Sequence, residues 1–301
     1  MKHVEKTNKF FIYEESNKPV MSIDPGETIS FSSEDCFQNL LTDCSIVKTD
    51  LLNKGITINP SSGPVYVNGA MPGDTLKVHI DDILLDDQYG TLAIIAEEFG
   101  VLGKYFDKEE TIKVDLTDGV AKFFDGKANL KIRPMVGVLA VTPKGYGAPT
   151  STPGTYGGNM DCKLINKGTT LYLPVSVEGA LLGMGDIHAL QSDGEILAAV
   201  ECPGTITVTV NLIKDRHEEW PVLETDDAFY VICSGDDIDE ANNYALIAMA
   251  EFLGKRTEKF TQKEWIVLMG IIGDLQICEI ADPKMASRFR IPKFLDENLK
   301  F

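Results

Sequence analysis

The stretch Thr205-Ile-Thr-Val-Thr-Val-Asn211 alternates apolar and polar residues. Because successive side chains of a β-strand point to opposite faces, Ile206, Val208 and Val210 would share one buried face. The same alternation occurs in Thr75-Leu-Lys-Val-His-Ile80, and similar segments span residues 128–133 and 169–177. Turn-forming dipeptides separate these segments: Asn59-Pro60, Gly63-Pro64, Pro72-Gly73, Asp125-Gly126, Asp193-Gly194 and Pro203-Gly204. The pattern predicts an α/β, β-rich fold with a sandwich- or barrel-like β body and a few helices.

Two well-defined helices are predicted near the C-terminal end of the chain. The first spans residues 237–253, where Asp237 and Glu240 resemble a capping box and Gly254 ends the helix. The second begins at Thr261, with Glu264 completing its capping box, and ends at Gly273. A final strand is predicted over residues 275–280, and a shorter helix near residues 91–102.

The domain organisation follows from the absence of any internal repeat or low-complexity linker in the 301 residues. This length suits one large domain with an ample core. We therefore expect a single domain over residues 1–301. A β-rich subdomain of about residues 1–140, packed on a catalytic part over residues 141–301, stays open as the alternative.

The chain is strongly acidic, with 46 acidic residues against 28 basic residues and a formal net charge of −18. Such a field repels the phosphates of nucleic acids and of anionic membranes, so we expect neither as a partner. A small neutral or cationic substrate fits this charge better. The longest apolar run, residues 265–272, is too short to cross a bilayer.

The cysteine pattern indicates a reducing compartment. The six cysteines form no Cys-x-x-Cys pair, and a chain of this length does not need disulfides for stability. Residues 1–20 contain no sustained apolar segment of the kind that a signal peptide has. We therefore expect reduced thiols and a cytoplasmic location.

The glycine-rich segment Gly183-Met-Gly-Asp-Ile-His-Ala-Leu-Gln-Ser-Asp-Gly-Glu195 is the strongest candidate for a chemical centre. Asp186 and His188 are two residues apart, so on a strand both side chains project from one face. An imidazole and a carboxylate that converge in this way can bind a divalent metal. Glu195 follows an Asp-Gly turn, and a hairpin could fold it back beside His188 as a proton acceptor. The structural alternative is a surface hairpin with a hydrogen-bonded histidine.

A second candidate follows the glycine- and proline-rich loop of residues 142–161. A loop of this length inside a domain is usually functional or disordered. In Gly157-Gly-Asn-Met-Asp161, the Asn159 amide could hold a substrate amide, and Asp161 could bind a metal or carry a proton. The alternative is an Asx-turn that ends the loop.

Three further side chains are candidates on weaker grounds. Asp35 follows a predicted strand over residues 27–31, and its alternative is a solvated turn group. Glu201 ends an apolar segment in which an unpaired glutamate is unusual, so it could bind the metal or support a ligand, and its alternative is exposure to solvent. Cys162 could be a nucleophile, although a strand would turn it away from Asp161. The sequence contains no phosphate-binding loop and no GxGxxG, HExxH or GxSxG motif. These absences argue against nucleotide enzymes and common serine hydrolases.

Four motifs in this order resemble the acetamidase/formamidase family, and together they span nearly the whole chain. They are residues 59–78, which contain Gly-Ala-Met-Pro-Gly-Asp; Gly158-Asn-Met-Asp161; residues 173–195, which contain Gly-Asp-Ile-His-Ala-Leu-Gln-Ser-Asp-Gly-Glu; and residues 275–278 with Asp282-Pro283. Ser192 departs from the family pattern, in which glycine is frequent, and Cys162 is not part of that pattern.

The resemblance implies hydrolysis of formamide, acetamide or a similar short, neutral amide to a carboxylate and ammonia. It also implies a β-rich α/β fold, a divalent metal with zinc as the expected ion, and a homodimer or higher homo-oligomer. Substrate preference does not follow from it.

We assign candidate roles on this basis. The expected metal ligands are His188, Asp186 and Asp35, with Asp161 as the alternative third ligand; the catalytic group is Glu195, Asp161 and Asn159; and the substrate-binding group is Gly157, Gly158 and Glu201. Three other interpretations stay open: a cysteine-dependent amidase that uses Cys162, a small-molecule or metal-binding module without catalysis, and an amidohydrolase of urea derivatives or cyclic amides.

Overall fold

Antiparallel pairing of the alternating segments builds the centre of the fold. The computed structural model describes residues 1–95, 102–296 and 298–301. In it, the segment around Val208 pairs with residues 28–33 on one side and with residues 75–85 on the other. Ile206, Val208 and Val210 are fully buried, as the alternation predicts. The prediction of a β-rich fold is confirmed.

The described residues contain the following strands and helices. The strands are β1 (Lys2–Val4), β2 (Lys9–Phe10), β3 (Ile12–Tyr13), β4 (Met21–Ile23), β5 (Thr28–Ser33), β6 (Ser61–Val67), β7 (Thr75–Leu85), β8 (Tyr89–Ile94), β9 (Glu110–Asp115), β10 (Val120–Phe123), β11 (Ala128–Lys131), β12 (Met135–Ala140), β13 (Ala148–Pro149), β14 (Pro153–Gly154), β15 (Gly157–Asn159), β16 (Thr170–Pro174), β17 (Leu182–Leu190), β18 (Val200–Glu201), β19 (Gly204–Ile213), β20 (Val222–Glu224), β21 (Ala228–Gly235), β22 (Asp274–Glu279) and β23 (Met285–Pro292). The helices are α1 (Lys48–Asn53), α2 (Ile238–Arg256) and α3 (Gln262–Ile272), with short 3-10 turns at Gly103–Tyr105, Thr117–Gly119 and Lys293–Leu295.

Most of these strands form two large sheets. The nine-stranded sheet has the order β1-β5-β19-β7-β16-β20-β21-β23-β22. The twelve-stranded sheet follows the path β11-β10-β9-β8-β18-β17-β12-β15-β14, and β6 joins it beside β17 and carries β2 and β4. A separate small pair joins β13 to β3. Each large sheet takes strands from both sides of residue 140, so the early and late parts of the chain are hydrogen-bonded together.

The two large sheets pack face to face around one apolar core. β5 of the nine-stranded sheet lies against β6 and β17 of the twelve-stranded sheet. The core includes Phe31 and Val78 from the first sheet and Val138 and Met184 from the second. The arrangement is a sandwich, in which each sheet buries the apolar face that its alternating residues create.

The two C-terminal helices cover one part of the nine-stranded sheet. Ala245, Met249 and Phe252 of α2 pack with Phe229 of β21 in a second apolar cluster. The Asp237 side chain accepts the N–H of Glu240 at the start of α2, and Thr261 with Glu264 forms the expected capping box of α3. No helix in the described part of the chain is both long and apolar enough to cross a membrane.

Two of the helix predictions need correction. α2 continues past Gly254 to Arg256, because a helix tolerates an exposed glycine when its apolar face is packed. The shorter helix expected near residues 91–102 begins within β8, where residues 91–94 pair with β9. Residues 96–101 of that expectation lie outside the described residues.

Candidate functional site

The site begins with the antiparallel pair of β17 and β18, which places His188 directly opposite Glu201. The His188 Nε2 atom lies 3.1 Å from Glu201 Oε1 and 3.4 Å from Asp186 Oδ1. A third carboxylate, that of Asp161, lies 3.8 Å from Nδ1 of the same ring. All four side chains are buried. The structure therefore brings Asp186 and His188 together on one strand, as their spacing predicts, and adds two acids from elsewhere in the chain.

Gln191 fixes the orientation of the His188 ring, with the Nε2 atom toward Asp186 and Glu201. The Gln191 Nε2 atom donates to the backbone oxygen of Asp161 at 2.6 Å, so its Oε1 must face His188 Nδ1, 2.7 Å away. Since an amide oxygen only accepts, Nδ1 carries the proton of that bond. The Nε2 atom is left toward Asp186 and Glu201, the arrangement in which an outer partner orients a metal-binding imidazole.

Several buried polar atoms around His188 have no hydrogen-bond partner among the described residues. They are His188 Nε2, Asp161 Oδ1, Asp186 Oδ1 and Glu201 Oε2. An unpaired buried carboxylate oxygen costs free energy of folding. A cation bound beside them would satisfy these atoms.

Burial and the close spacing of the acidic groups raise the pKa values of Asp161 and Glu195. Burial, together with the neighbouring charges of Glu195 and Asp186, raises the pKa of Asp161 well above its usual value. Burial alone would lower the pKa of His188, but Glu201 and Asp186 outweigh it and raise that pKa well above the usual value. Burial also raises the pKa of Glu195 to about 7. Without a cation, the cluster holds protons to balance its charge.

Gly137 on β12 allows two of the carboxylates to approach each other. A Cβ atom at this position would lie 2.5 Å from Asp186 Oδ2 and 2.6 Å from Asp161 Oδ1. The carbonyl oxygen of Gly137 also accepts the N–H groups of Met160 and Asp161. Glycine is therefore required here for space, and its backbone holds the segment that carries Asp161.

Four residues of the site adopt left-handed backbone conformations that non-glycine residues rarely take. The φ angles are 61° for Asn59, 41° for Asp161, 57° for Asp186 and 37° for Glu195. Such conformations cost on the order of 1–3 kcal/mol each and persist only where the surrounding structure enforces them. Their concentration in one site indicates that the fold accepts strained backbone conformations there in order to place these side chains.

Hydrogen bonds hold the turn that carries Glu195 against β22 and β23. The N–H of Gly194 donates to the Cys278 oxygen at 3.0 Å, and the N–H of Ile280 donates to the Gly194 oxygen at 2.9 Å. Arg288, almost fully buried on β23, donates to Asp193 Oδ1 at 2.6 Å. These contacts bring Glu195 beside His188 and Glu201, with ligand atoms of the three within 4.8 Å of one another.

A polar chain of three residues lies next to the acidic cluster. Asn59 Nδ2 donates to Asn159 Oδ1 at 3.1 Å, and Asn159 Nδ2 donates to Asp282 Oδ2 at 2.5 Å. Burial raises the pKa of Asp282 to about 6. Behind it, the fully buried Glu279 accepts the N–H of Asp282, and burial raises the pKa of Glu279 to about 9.

These groups line one cavity of about 70 Å³. Pockets for drug-sized ligands enclose roughly 300–1,000 Å³, so this one suits a very small molecule. Its polar wall consists of Asn59, Asn159, Asp161, Asp186, His188, Glu195, Glu201, Asp282, Lys48 and Ser151. Its remaining wall consists of Cys36, Phe37, Ile58, Ala93, Ile95, Ala198 and Ala199.

The structure does not bring Asp35 to the cluster, which corrects the expectation that Asp35 completes the metal site. The Asp35 Oδ1 atom accepts the N–H groups of Phe37 and Asn39, so this carboxylate stabilises its own turn. It faces a different cavity, which Lys113 and Thr91 also line. Its neighbour Cys36 lines the cavity beside His188 instead.

The substrate-binding group expected from the sequence is also rearranged. Gly157 and Gly158 pair with Ala140 and Leu139 of β12, and neither lines the cavity. Their lack of side chains serves close packing, since a Cβ atom would lie 2.3 Å from Leu139 O at the first and 2.2 Å from Thr152 O at the second. Glu201 lies in the ligand cluster rather than in a separate substrate pocket.

Cys162 lies outside the cavity, among the residues that support the Glu195 turn. Its thiol is fully buried, 3.7 Å from Arg288 Nη1 and close to Cys278. Burial raises the pKa of this thiol, but Cys278 and Arg288 outweigh it and lower the pKa to about 6. A molecule in the cavity would not reach this sulfur, so the geometry argues against Cys162 as the nucleophile.

Sequence reasoning missed several residues of the site. Gln191 was visible inside the quoted Gly183–Glu195 segment, and Asp282 lies in the quoted Asp282-Pro283 pair. Gly137 and Cys36 gave no local signal, because their roles depend on strands that meet only in the folded chain.

The residues present fit a divalent cation. Ligand atoms of Asp161, Asp186 and His188 lie within 4.8 Å of one another, and so do those of His188, Glu195 and Glu201. They are an imidazole nitrogen and carboxylate oxygens, which are ordinary zinc ligands. Two ligands that each lie about 2.1 Å from one ion in tetrahedral geometry are about 3.4 Å apart. The observed separations of 3.1 and 3.4 Å from Nε2 match this spacing.

Comparisons with known proteins find similarity to acetamidases and formamidases. The sequence model of the Acetamidase/Formamidase family matches residues 4–145 and 144–293. A formamidase from Methylophilus methylotrophus is 39% identical over 244 residues, which cover 60% of this chain and 60% of that protein. A putative formamidase from Schizosaccharomyces pombe is 27% identical over 253 residues and is covered to 61%. The chain thus spans about 60% of the length of the curated relatives that it matches.

Two solved structures share the whole fold. The crystal structure of an acetamidase from Bacillus halodurans superimposes with a TM-score of 0.94 at 36% identity, covering 99% of this chain and 100% of that one. A predicted acetamidase/formamidase from Thermoanaerobacter tengcongensis gives a TM-score of 0.92 at 34% identity, covering 100% and 99%. Both likenesses extend over the strands that build the site.

Replacing Gly137 by Ala should disrupt the cluster. The added Cβ atom would push Asp161 and Asp186 apart, and loss of such support typically weakens metal binding about 10- to 100-fold. Titration of purified, metal-free protein with zinc measures the affinity, and circular dichroism checks the fold.

Gly270→Ala is the matched control for this variant. Gly270 lies in α3, and a Cβ atom there meets nothing within 4 Å. We expect unchanged zinc affinity and, because alanine favours helix, equal or higher stability. Equal zinc affinity in the Gly137 and Gly270 variants would contradict the role of Gly137.

Proposed function

The chain belongs to the acetamidase/formamidase family, and on that premise we propose that it hydrolyses a short, neutral amide to a carboxylate and ammonia, with help from a divalent metal ion. The observation that carries the proposal is the small cavity lined by five carboxylates and one imidazole. Its volume suits an amide of a few heavy atoms. Its charge opposes entry of carboxylates and favours departure of the carboxylate product.

The metal ligands that we propose are His188 and Asp186, with Glu201 or Asp161 as the third, so that one coordination position stays open for water or substrate. Their unpartnered, buried ligand atoms support this set. When bound, a divalent ion supplies a Lewis acid that polarises the amide carbonyl and lowers the pKa of water. Zinc is the ion that we propose, since an imidazole and carboxylates are among its ordinary ligands. Gln191 keeps the His188 ring oriented toward this set.

Glu195 moves the proton in the proposed reaction. It lies on the cavity wall within reach of the His188 and Glu201 ligand atoms, at the tip of a turn held by β22 and β23. From there it takes a proton from the attacking water and gives it to the leaving nitrogen. Protonation of that nitrogen is required because an amide anion is a very poor leaving group.

Asn159 stabilises the carbonyl oxygen as negative charge develops on it. Its Oδ1 atom accepts from Asn59, so the Nδ2 atom faces Asp282 and keeps one further N–H for another acceptor. A donor of this kind contributes about 100- to 1,000-fold to the rate of acyl transfer. The buried position of Asn159 removes competition from bulk water.

A homo-oligomer in the cytoplasm completes the proposal. The apolar residues Ile266, Val267 and Ile271 of α3 are 51%, 61% and 71% exposed, and Leu275 on the edge strand β22 is 44% exposed. Apolar surface of this kind beside an open sheet edge supports association of two copies. The six cysteines, all among the described residues, are free thiols, which suits a reducing compartment.

Glu195→Gln tests the proton carrier. The amide keeps the shape of the side chain but cannot take a proton, so kcat for acetamide or formamide should fall about 100- to 10,000-fold. Ammonia release measures turnover, and elemental analysis should find the metal content unchanged. Glu258→Gln, a change at an exposed position two residues after α2, is the control. Full turnover in the Glu195 variant would remove Glu195 from the mechanism.

Removal of the metal tests the cofactor. Dialysis against a chelator should abolish ammonia release, and added zinc should restore it, because the carboxylates and His188 cannot polarise the carbonyl without a cation. Cys162→Ser should retain turnover, since its side chain lies outside the cavity. The opposite pair of results, chelator-insensitive activity and an inactive Cys162 variant, would support the cysteine mechanism instead.

The mass in solution tests the oligomer. Light scattering should give at least twice the 33.1 kDa of one chain. Changing Val267 and Ile271 to Glu should lower that mass, because buried charges oppose an apolar interface. A wild-type mass of one chain at micromolar concentration would end this part of the proposal.

A further inference from the structure

Asp282 is a cavity carboxylate that the metal site does not use. Of the five carboxylates on the cavity wall, Asp161, Asp186, Glu195 and Glu201 have oxygens in the ligand clusters around His188. Asp282 belongs to none of the clusters found among the described residues. A carboxylate placed on such a small cavity, and not needed for the metal, is available to bind the substrate.

The partner of Asp282 has a fixed orientation. Asn159 Nδ2 donates to Asp282 Oδ2 at 2.5 Å, while Asn159 Oδ1 accepts from Asn59 at 3.1 Å. Since a carboxylate oxygen cannot donate, the amide cannot be turned around without losing both bonds. Asn159 and Asp282 therefore present an N–H donor and an oxygen acceptor side by side on the cavity wall.

An unsubstituted amide has the complementary edge. Its carbonyl oxygen and one of its N–H hydrogens lie on the same side of the planar amide group. In an open-chain N-alkyl amide, the trans form is favoured by about 2.5 kcal/mol, and it places the alkyl group on that side. A lactam ring holds the amide cis, so a lactam keeps the N–H beside the carbonyl oxygen.

We propose that Asn159 and Asp282 together recognise this edge, Asn159 donating to the carbonyl oxygen and Asp282 accepting the N–H on the same side. The site then takes unsubstituted amides and small lactams and rejects open-chain N-alkyl amides. This inference rests on the proposed function, because it assigns the side of the cavity at which the amide nitrogen lies. It also makes Asp282 a substrate-binding residue for the reaction.

Recognition by the unchanged Asn159 and Asp282 can be measured in a variant that does not hydrolyse the ligand. Zinc-loaded Glu195→Gln protein is titrated calorimetrically with acetamide, N-methylacetamide and 2-pyrrolidinone. We expect acetamide and 2-pyrrolidinone to bind at least about tenfold more tightly than N-methylacetamide, the value of one hydrogen bond to a charged group. Because 2-pyrrolidinone is the largest of the three, exclusion by size alone would make it the weakest ligand, below N-methylacetamide. N-methylacetamide binding as tightly as acetamide would overturn the inference.

Adding Asp282→Asn tests the acceptor directly. Its oxygen keeps the bond from Asn159, so its amino group faces the substrate and the acceptor is lost. Affinity for acetamide and 2-pyrrolidinone should fall about 10- to 100-fold, with little change for N-methylacetamide. Asp274→Asn, an exposed acid on β22, is the matched control and should change none of the three. An equal loss for all three ligands in the Asp282 variant would contradict the assignment.

The experiment separates this inference from the proposed function. Zinc-loaded wild-type protein that releases no ammonia from formamide or acetamide would end the proposed reaction, while the titrations still decide whether the edge is recognised. If Asp282→Asn does not fold by circular dichroism, the order of the three ligands in the parent protein decides the inference.

Discussion

The site depends on how it offsets the repulsion among buried carboxylates that surround one imidazole. These carboxylates are Asp161, Asp186, Glu195 and Glu201, and the imidazole is that of His188. Burial and neighbouring acids hold the pKa of Asp161 and of Glu201 well above their usual values, so protons balance the charge when no cation is bound. The divalent ion that we propose would replace those protons and leave the ligand atoms charged. The same repulsion that costs stability therefore selects for a cation.

The backbone enforces this crowding at several independent places. Gly137 provides the space between Asp186 and Asp161, and both acids, like Glu195, lie in left-handed conformations. Bonds from Gly194 to β22 and from Arg288 to Asp193 hold the Glu195 turn. Because β12, β17 and β18 lie within one packed sheet, no single segment can relax without disturbing its neighbours.

Local spacing made part of this site predictable. The period of two on a strand placed Asp186 with His188, and the Asp-Gly turn returned Glu195 to them. The order of four motifs also gave the family and the β-rich fold. Asp35 was expected at the metal, but its carboxylate stabilises its own turn and Cys36 lines the cavity instead. Both residues lie after the end of β5, where no strand period fixes the direction of a side chain. Gly137 and Asp282 were hidden because β12 meets β17, and β22 meets Gly194, only in the folded chain.

The cavity wall draws on residues from Cys36 to Asp282, so the complete cavity exists only when segments from most of the chain are in place. An ion that binds only this assembled form stabilises the native state by mass action, in proportion to the logarithm of its free concentration. If the proposed ion binds here, metal supply in the cell would act on the lifetime of the protein as well as on its chemistry. A partly folded or truncated chain gains nothing from the ion, and proteolysis of such forms proceeds without competition from it.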